Sequence, residues 1–265
     1  MIATCREKLV GQVMATSVSI NGLDMSNPHY PHIMKRFEIE IERVRCIFAK
    51  ELAAQYEANP PHYAPPDPNP VSELPSDEAA KRRILDHTVI CSVMCCCNEN
   101  PNAGAAGQDL KQGCVHDVFQ EADRALGWQS RYKSELSWNM RRNEPGATPT
   151  PFMHRDVDGN DTTEPSRYWQ GRLGEVVGYQ PGQGDVRRPD MCMPADPGRL
   201  PNPVDNMDAV VELKFGDDRA DKEQDKAYRR IAGEEEKYFR YRVGGPLHDG
   251  EIGCDCNDPG CWPNL

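Results

Sequence analysis

A run of eight residues, Asp208-Ala-Val-Val-Glu-Leu-Lys-Phe215, constrains this chain more than any other stretch. β-Branched and apolar residues, bounded by Asn206 upstream and by Gly216, Asp217 and Asp218 downstream, mark a short buried strand. Successive side chains of a strand point to opposite faces, so Glu212 and Lys214 share one face while Val211 and Leu213 share the other. An acid and an amine are thereby held side by side inside an apolar run. Burying either without compensation is costly, and the pattern asks for a ligand, most simply a metal ion together with an anion.

The 265 residues suffice for one large domain, or for a core domain with a smaller attachment. Hydrophobic residues make up only 38% and prolines number 23, which predicts a loop-rich protein rather than a compact helical one. A net charge of -11 argues against a protein that coats nucleic acid by bulk charge, though local basic patches are compatible with it. No stretch approaches the ~20 apolar residues of a membrane span. The amino terminus lacks the sustained apolar core of a signal peptide. The expectation is a chain made and kept in a cytosol, or exported by a route that needs no cleaved signal.

Residues 1–32 carry little readable pattern. From Met34 to Tyr56, apolar residues at three- and four-residue spacing predict an amphipathic helix, and the proline-rich stretch from Asn59 to Pro75 reads as a linker over a surface. Ser76, Asp77 and Glu78 open a second helix that runs through Val89 and Val93 into Cys95, Cys96 and Cys97. From Val115 a different unit begins: a short helix through Val118, Phe119 and Leu126 closed by Gly127, then an alternating strand from Tyr132 to Met140. Glu144 to Pro165 reads as a long surface loop and Tyr168 to Val177 as a short helix. Val186 to Met193 reads as a short strand, followed by a proline-laden loop to Pro203. Beyond the opening strand come a charged helix from Arg219 to Ala232, stopped by Gly233, and a last strand from Tyr238 to Val243. This order predicts a helical, Pro- and Cys-rich region at 1–114 and an α/β (α+β) domain at 115–265 with a Cys-containing tail.

Pro189-Asp190 followed by Glu212-Leu213-Lys214 resembles the PD-(D/E)xK nuclease motif, and Val186-Arg-Arg-Pro-Asp190 with Val210-Val-Glu-Leu-Lys-Phe215 resembles its VRR-NUC branch. Gln224-Asp-Lys-Ala-Tyr228 matches the Q-x-x-x-Y pattern that accompanies this core in RecB-like nucleases. The likeness spans roughly residues 115–243. Each piece alone is weak; their joint order is what carries the resemblance. It implies a restriction-endonuclease-like core, a mixed central sheet flanked by helices. It also implies a Mg²⁺ or Mn²⁺ ion held by Asp190, Glu212 and the Leu213 carbonyl. Lys214 would orient or acidify the attacking water, while Gln224 and Tyr228, one turn apart, would position the strand or hold Lys214. A third acid is usual in this fold, and Glu121 and Glu135 compete for the place, each also readable as a surface carboxylate.

Arg187, Arg188, Arg219, Lys222, Lys226, Arg229 and Arg230 gather around these motifs as a candidate phosphate-contacting rim. The plainer reading is a solvated helix face, with Arg188 the exception and Lys222 and Tyr228 further DNA contacts. Eleven cysteines without a signal peptide predict reduced thiols, with a structural zinc drawn from Cys95, Cys97, Cys254, Cys256 and Cys261 as the second option. His116 and His154 read as structural.

The resemblance therefore implies a metal-dependent DNase. Short length, long loops and a Cys- and Pro-rich first half resemble an antibacterial effector of type VI secretion more than a repair enzyme. Such a toxin would leave a bacterial cytoplasm for that of a target cell, with a cognate immunity protein and a spike or adaptor protein as partners. A repair or phage structure-specific nuclease is the alternative within the enzyme class. A non-catalytic, zinc-stabilised adaptor is the alternative outside it.

Overall fold

A computed structural model describes residues 5–21, 78–140 and 147–256. The helix expected over Met34–Tyr56 and the linker over Asn59–Pro75 lie outside these residues. The described chain is a mixed α+β protein with four helices, α1 (Cys5–Asn21), α2 (Glu78–Glu99), α3 (Lys111–Ala125) and α4 (Lys222–Ala232). Its short strands are β1 (Asn102–Ala103), β2 (Asp109–Leu110), β3 (Lys133–Ser134), β4 (Trp138–Asn139), β5 (Thr150–Pro151), β6 (Met153–Arg155), β7 (Asp161–Pro165) and β8 (Val186–Arg187). They are followed by β9 (Met191–Met193), β10 (Ala209–Phe215), β11 (Tyr238–Val243) and β12 (Glu251–Gly253). Among the described residues no helix is long and apolar enough to cross a membrane.

The main sheet has the order β12-β11-β10-β9-β3. β10 lies parallel to β11 and antiparallel to β9, so the sheet is mixed. All seven residues of β10 are buried, as expected for a central strand covered on both faces. On one face Val211 and Leu213 join Leu9 and Val13 of α1, Val89 and Val93 of α2, and Val115 and Phe119 of α3. On the other, Val210 packs with Tyr228 and Ile231 of α4 and with Trp138. The sequence boundary at 114/115 falls within α3, and residues from both sides of it share the first core.

Five elements differ from the sequence reading. α1 forms where no pattern was legible, because Gln12, Thr16 and Ser17 are buried along with Leu9 and Val13 and blur the apolar stripe. The strand expected over Tyr132–Met140 splits into β3 and β4, which belong to different sheets. The break falls at Glu135, whose φ of 51° turns the backbone into the left-handed region. Val186–Met193 likewise divides into β8 and β9 around Arg188–Asp190. Within the expected loop, β6 and β7 pair as a hairpin, and Trp169–Glu175 is a 3-10 helix.

α4 shows why its sequence folds locally. The Asp221 side chain accepts from the N–H groups of Glu223 and Gln224, acids occupy the first turn, and Arg229 and Arg230 the last. Gly233 ends it at φ 81°, so close to Pro203 that a Cβ would stand 2.1 Å from the Pro203 carbonyl oxygen. Three ion pairs on buried cations fix the segment around β3: Arg131 spans Asp86 and the partly exposed Asp208 at 2.9 and 2.7 Å, and Lys133 meets Asp123 at 2.9 Å.

The cysteines correct the expectation of reduced thiols. Cys91 pairs with Cys254, Cys95 with Cys256, and Cys97 with Cys114. Cys96 is disulfide-bonded as well. Cys91 and Cys95 stand one helical turn apart, a rise of about 6 Å, which matches the ~6.6 Å between alternate residues of an extended tail. Two rungs therefore form side by side between α2 and the segment after β12. A disulfide sulfur offers no thiolate, so Cys95, Cys97, Cys254 and Cys256 do not assemble a zinc site here, and Cys261 lies outside the described residues. Cys192 is the free cysteine among the described residues; it is buried, takes a 3.3 Å hydrogen bond from Trp138 Nε1, and burial pushes its thiol up to about 12.

Candidate active site

β9 and β10 pair Met193 with Ala209, Cys192 with Val210, and Met191 with Val211. One residue further, the same register sets Asp190 opposite Glu212. β3 and β9 pair Lys133 with Cys192 and Ser134 with Met191, which sets Glu135 opposite Asp190 on the other side. The Glu135 N–H donates to the Asp190 carbonyl at 2.9 Å, confirming the alignment. β9 extends no further towards Asp190, so the edge of β10 beyond Val211 is left open for side chains. There the Leu213 N–H donates to Asp190 Oδ2 at 2.6 Å, and the Leu213 carbonyl accepts from Gln112 Nε2 of α3 at 3.2 Å.

Glu212 is 2% exposed and Lys214 6%. Lys214 Nζ donates to Glu212 Oε1 at 2.7 Å, while Glu212 Oε2 is buried with no hydrogen-bond partner. Burial, and then the neighbouring Glu212 carboxylate, push Asp190 well above the usual carboxylate range against the pull of the Leu213 N–H and Lys214. Burial also raises Glu212, opposed by its bond and attraction to Lys214. Two acids, Glu212 buried and Asp190 partly so, face one amine, and the hydrogen bond between the two carboxyls holds a proton on Asp190 that a cation would displace. Oxygen donors in this state suit a hard divalent cation.

The structure brings Asp190, Glu212, Lys214 and the Leu213 backbone together. Gln224 and Tyr228 lie close by but do not hold Lys214. Gln224 Nε2 donates to the Tyr228 hydroxyl at 2.9 Å, and that hydroxyl donates to the Arg188 carbonyl at 2.8 Å, fixing the turn that delivers Asp190. Burial raises the Tyr228 hydroxyl further out of reach of deprotonation, with Glu212 contributing. Arg188 is half exposed and pairs with Glu135 at 3.3 Å. Lys222 is exposed at the start of α4, and no contact among the described residues draws it to the acid pair.

Neither candidate for a third carboxylate joins the pair. Glu121 is exposed on α3, and Glu135 is turned by its left-handed backbone onto Arg188. Among the described residues no group of three His, Cys, Asp or Glu side chains converges on a metal position. Sequence reasoning missed the polar row that α3 presents instead. Gln112 reaches Leu213; His116 Nδ1 lies 3.0 Å from Ser134 Oγ and its Nε2 3.2 Å from Gln120 Nε2; Ser134 Oγ donates to the Asp190 carbonyl at 3.2 Å. The legible signal was three polar, uncharged or weakly basic residues at i, i+4 and i+8 beside the apolar stripe of Val115, Val118, Phe119 and Ala122. A cavity of about 810 Å³, lined by Arg82, Asp86, Arg131, Val211 and Tyr241, opens on the other face of the sheet, away from this centre.

Comparison with protein-family profiles, characterised proteins and solved structures finds no match to this chain.

Proposed function

We propose that the chain is a metal-dependent nuclease with a PD-(D/E)xK core of VRR-NUC type that hydrolyses DNA phosphodiester bonds. The observation that carries this reading is the meeting of Asp190, Glu212 and Lys214 around the Leu213 backbone, with Glu212 and Lys214 buried and Asp190 partly buried. Asp190, Glu212 and the Leu213 carbonyl would hold Mg²⁺ or Mn²⁺, and the ion, when bound, would supply Lewis acidity at the phosphate and a hydroxide near neutral pH. Lys214 is placed to orient the attacking water and to offset charge growing on the phosphate oxygens. Tyr228 and Gln224 keep the Asp190 turn in place, and Arg188, half in solvent, is placed to meet a phosphate of the strand.

Within this reading, an antibacterial effector exported by type VI secretion fits best. An immunity protein covering the acid pair and a spike or adaptor protein bound by residues 1–110 would be its partners. The disulfides favour a chain that meets an oxidising compartment. They also remove the thiolates on which a zinc-stabilised adaptor would depend. A repair or phage nuclease shares the same chemistry and is separated from an effector by the absence of a protective neighbouring gene. The test is plasmid digestion with Mg²⁺ or Mn²⁺: wild type cuts, while Asp190→Ala, Glu212→Ala and Lys214→Ala do not. Undiminished cutting by any of the three would overturn the site.

A further inference from the structure

The polar row of α3 does not stop beside the acid pair; it leads away from it. Gln112 Nε2 donates to the Leu213 carbonyl at 3.2 Å, and His116 reaches the Asp190 carbonyl through Ser134 Oγ. Gln120 lies 3.2 Å from His116, and Arg124 Nη2 donates to Gln120 Oε1 at 3.2 Å. At the usual helical rise, Arg124 stands about 18 Å along α3 from Gln112, the length of about five nucleotides of one stacked strand. The row ends at Trp128, with the Arg124 guanidinium 5.9 Å and the Arg167 guanidinium 5.8 Å from the centre of its ring.

Trp128 is held there at a cost. Its φ of 62°, directly after Gly127 at 63°, places a bulky aromatic residue in the left-handed region, which persists only where the surroundings impose it. The Trp128 N–H donates to the Asp123 carbonyl at 2.8 Å, and the Trp128 carbonyl accepts from Nζ of the fully buried Lys133 at 2.7 Å. The turn is thus locked from beneath, while the ring is only partly buried and Arg124 and Arg167 beside it are exposed. Neither arginine forms an ion pair with an acid among the described residues.

Flat groups in contact lie about 3.5 Å apart. At nearly 6 Å the guanidiniums stand off from the indole, and an outward movement of about 1 Å by either exposed side chain admits a second flat group between. A planar group that also carries negative charge fits this place: a nucleobase on the indole, with its phosphates on the arginines. Bases inside a duplex are stacked on their neighbours and offer no face, so the occupant is an unpaired nucleotide.

We propose that Trp128, with Arg124 and Arg167, binds an unpaired nucleotide of a DNA strand that runs along α3 from the acid pair. This rests on the nuclease reading above and gives it a substrate class, DNA with a single-stranded stretch next to the bond that is cut.

The experiment is fluorescence anisotropy of a short labelled oligothymidylate, and of a blunt duplex of the same length, with the full oxidised chain in chelator, where nothing is cut. Trp128→Ala weakens oligothymidylate binding by about tenfold or more, the share of one stacked base, and Trp128→Phe, which keeps a ring, restores most of it. Arg124→Ala weakens binding and lowers its salt dependence by about one phosphate contact. Duplex binding responds less to each change. Circular dichroism of the variants matches wild type, and Arg124→Ala, an exposed substitution, decides should Trp128→Ala not fold. Wild-type affinity in Trp128→Ala or in Arg124→Ala, equal losses on duplex and single strand, or displacement by polyglutamate as readily as by DNA overturns the proposal. Plasmid cutting that is abolished by Asp190→Ala leaves the nuclease reading standing in each of those cases. Oligothymidylate binding that depends on Trp128 in a chain that cuts no DNA with Mg²⁺ or Mn²⁺ overturns the nuclease reading instead.

Discussion

Replacing Asp190 by Asn should strengthen the fold while removing its function. Asp190 and Glu212 face each other across β9 and β10, where paired side chains start about 5 Å apart. At an effective dielectric constant near 20 their repulsion is about 3 kcal/mol. Lys214 offsets part of it, and Asn still offers an oxygen to the Leu213 N–H, losing only the charge assistance of a bond now 2.6 Å long. A net gain of about 1–2 kcal/mol remains, or about 3–6 °C in melting temperature for a domain of this size. The sign with pH is fixed by the direction of the shift. A carboxyl raised in the folded state binds more protons folded than unfolded, so wild-type stability falls as pH rises above the ordinary carboxylate range, and the advantage of Asp190→Asn widens. The assay is thermal melting in chelator and in excess Mn²⁺ at several pH values. In chelator the variant melts higher; in Mn²⁺ wild type gains stability and the variant does not; plasmid cutting falls at least about 100-fold. A variant that melts below wild type in chelator, or that cuts at the wild-type rate, would refute the reasoning.

Lys133→Met strands Asp123, already pushed up to about 6 chiefly by burial, and should cost about 3–5 kcal/mol in urea unfolding. Glu251, hydrogen-bonded to Arg242 and held down at about 2 from its ordinary 4.5, contributes stability that is present above pH 4.5 and lost as pH falls towards 2. Acid unfolding followed by fluorescence should flatten over that window in Glu251→Gln, which loses about 3 kcal/mol at neutral pH. Tyr228→Phe deletes the bond to the Arg188 carbonyl, costing about 1 kcal/mol in urea and slowing plasmid cutting without changing the metal dependence. Cys91→Ser should lower stability by about 2–5 kcal/mol under oxidising conditions and leave it level with wild type once both are fully reduced.

β10, α4 and β11 were legible because their signals are local: an apolar run, an oxygen cap with a closing glycine, and strict alternation. The meeting of Glu212 with Lys214 was legible for the same reason, since the two are alternate residues of one strand; Asp190 reaches Leu213 across 23 residues and joins them only through the β9–β10 register. Other parts depend on contacts distant in sequence. The division at Glu135 comes from one left-handed backbone angle, which no residue pattern announced. Tyr228 carries a local helix pattern, but its target, the Arg188 carbonyl, lies 40 residues earlier. The contact of Gln112 with the Leu213 carbonyl joins residues 101 apart and has no charge pattern to announce it. The disulfide pattern follows from where α2 lies against the tail, a matter of tertiary packing.

The Cys91–Cys254 bond joins points 163 residues apart and turns the intervening chain into a covalent ring that contains α3, the whole main sheet and the acid pair. A ring cannot be drawn end-first through a passage that admits a single extended strand. On the export reading proposed above, such a passage would have to admit the looped chain, or the protein would cross reduced and acquire its ring on the far side.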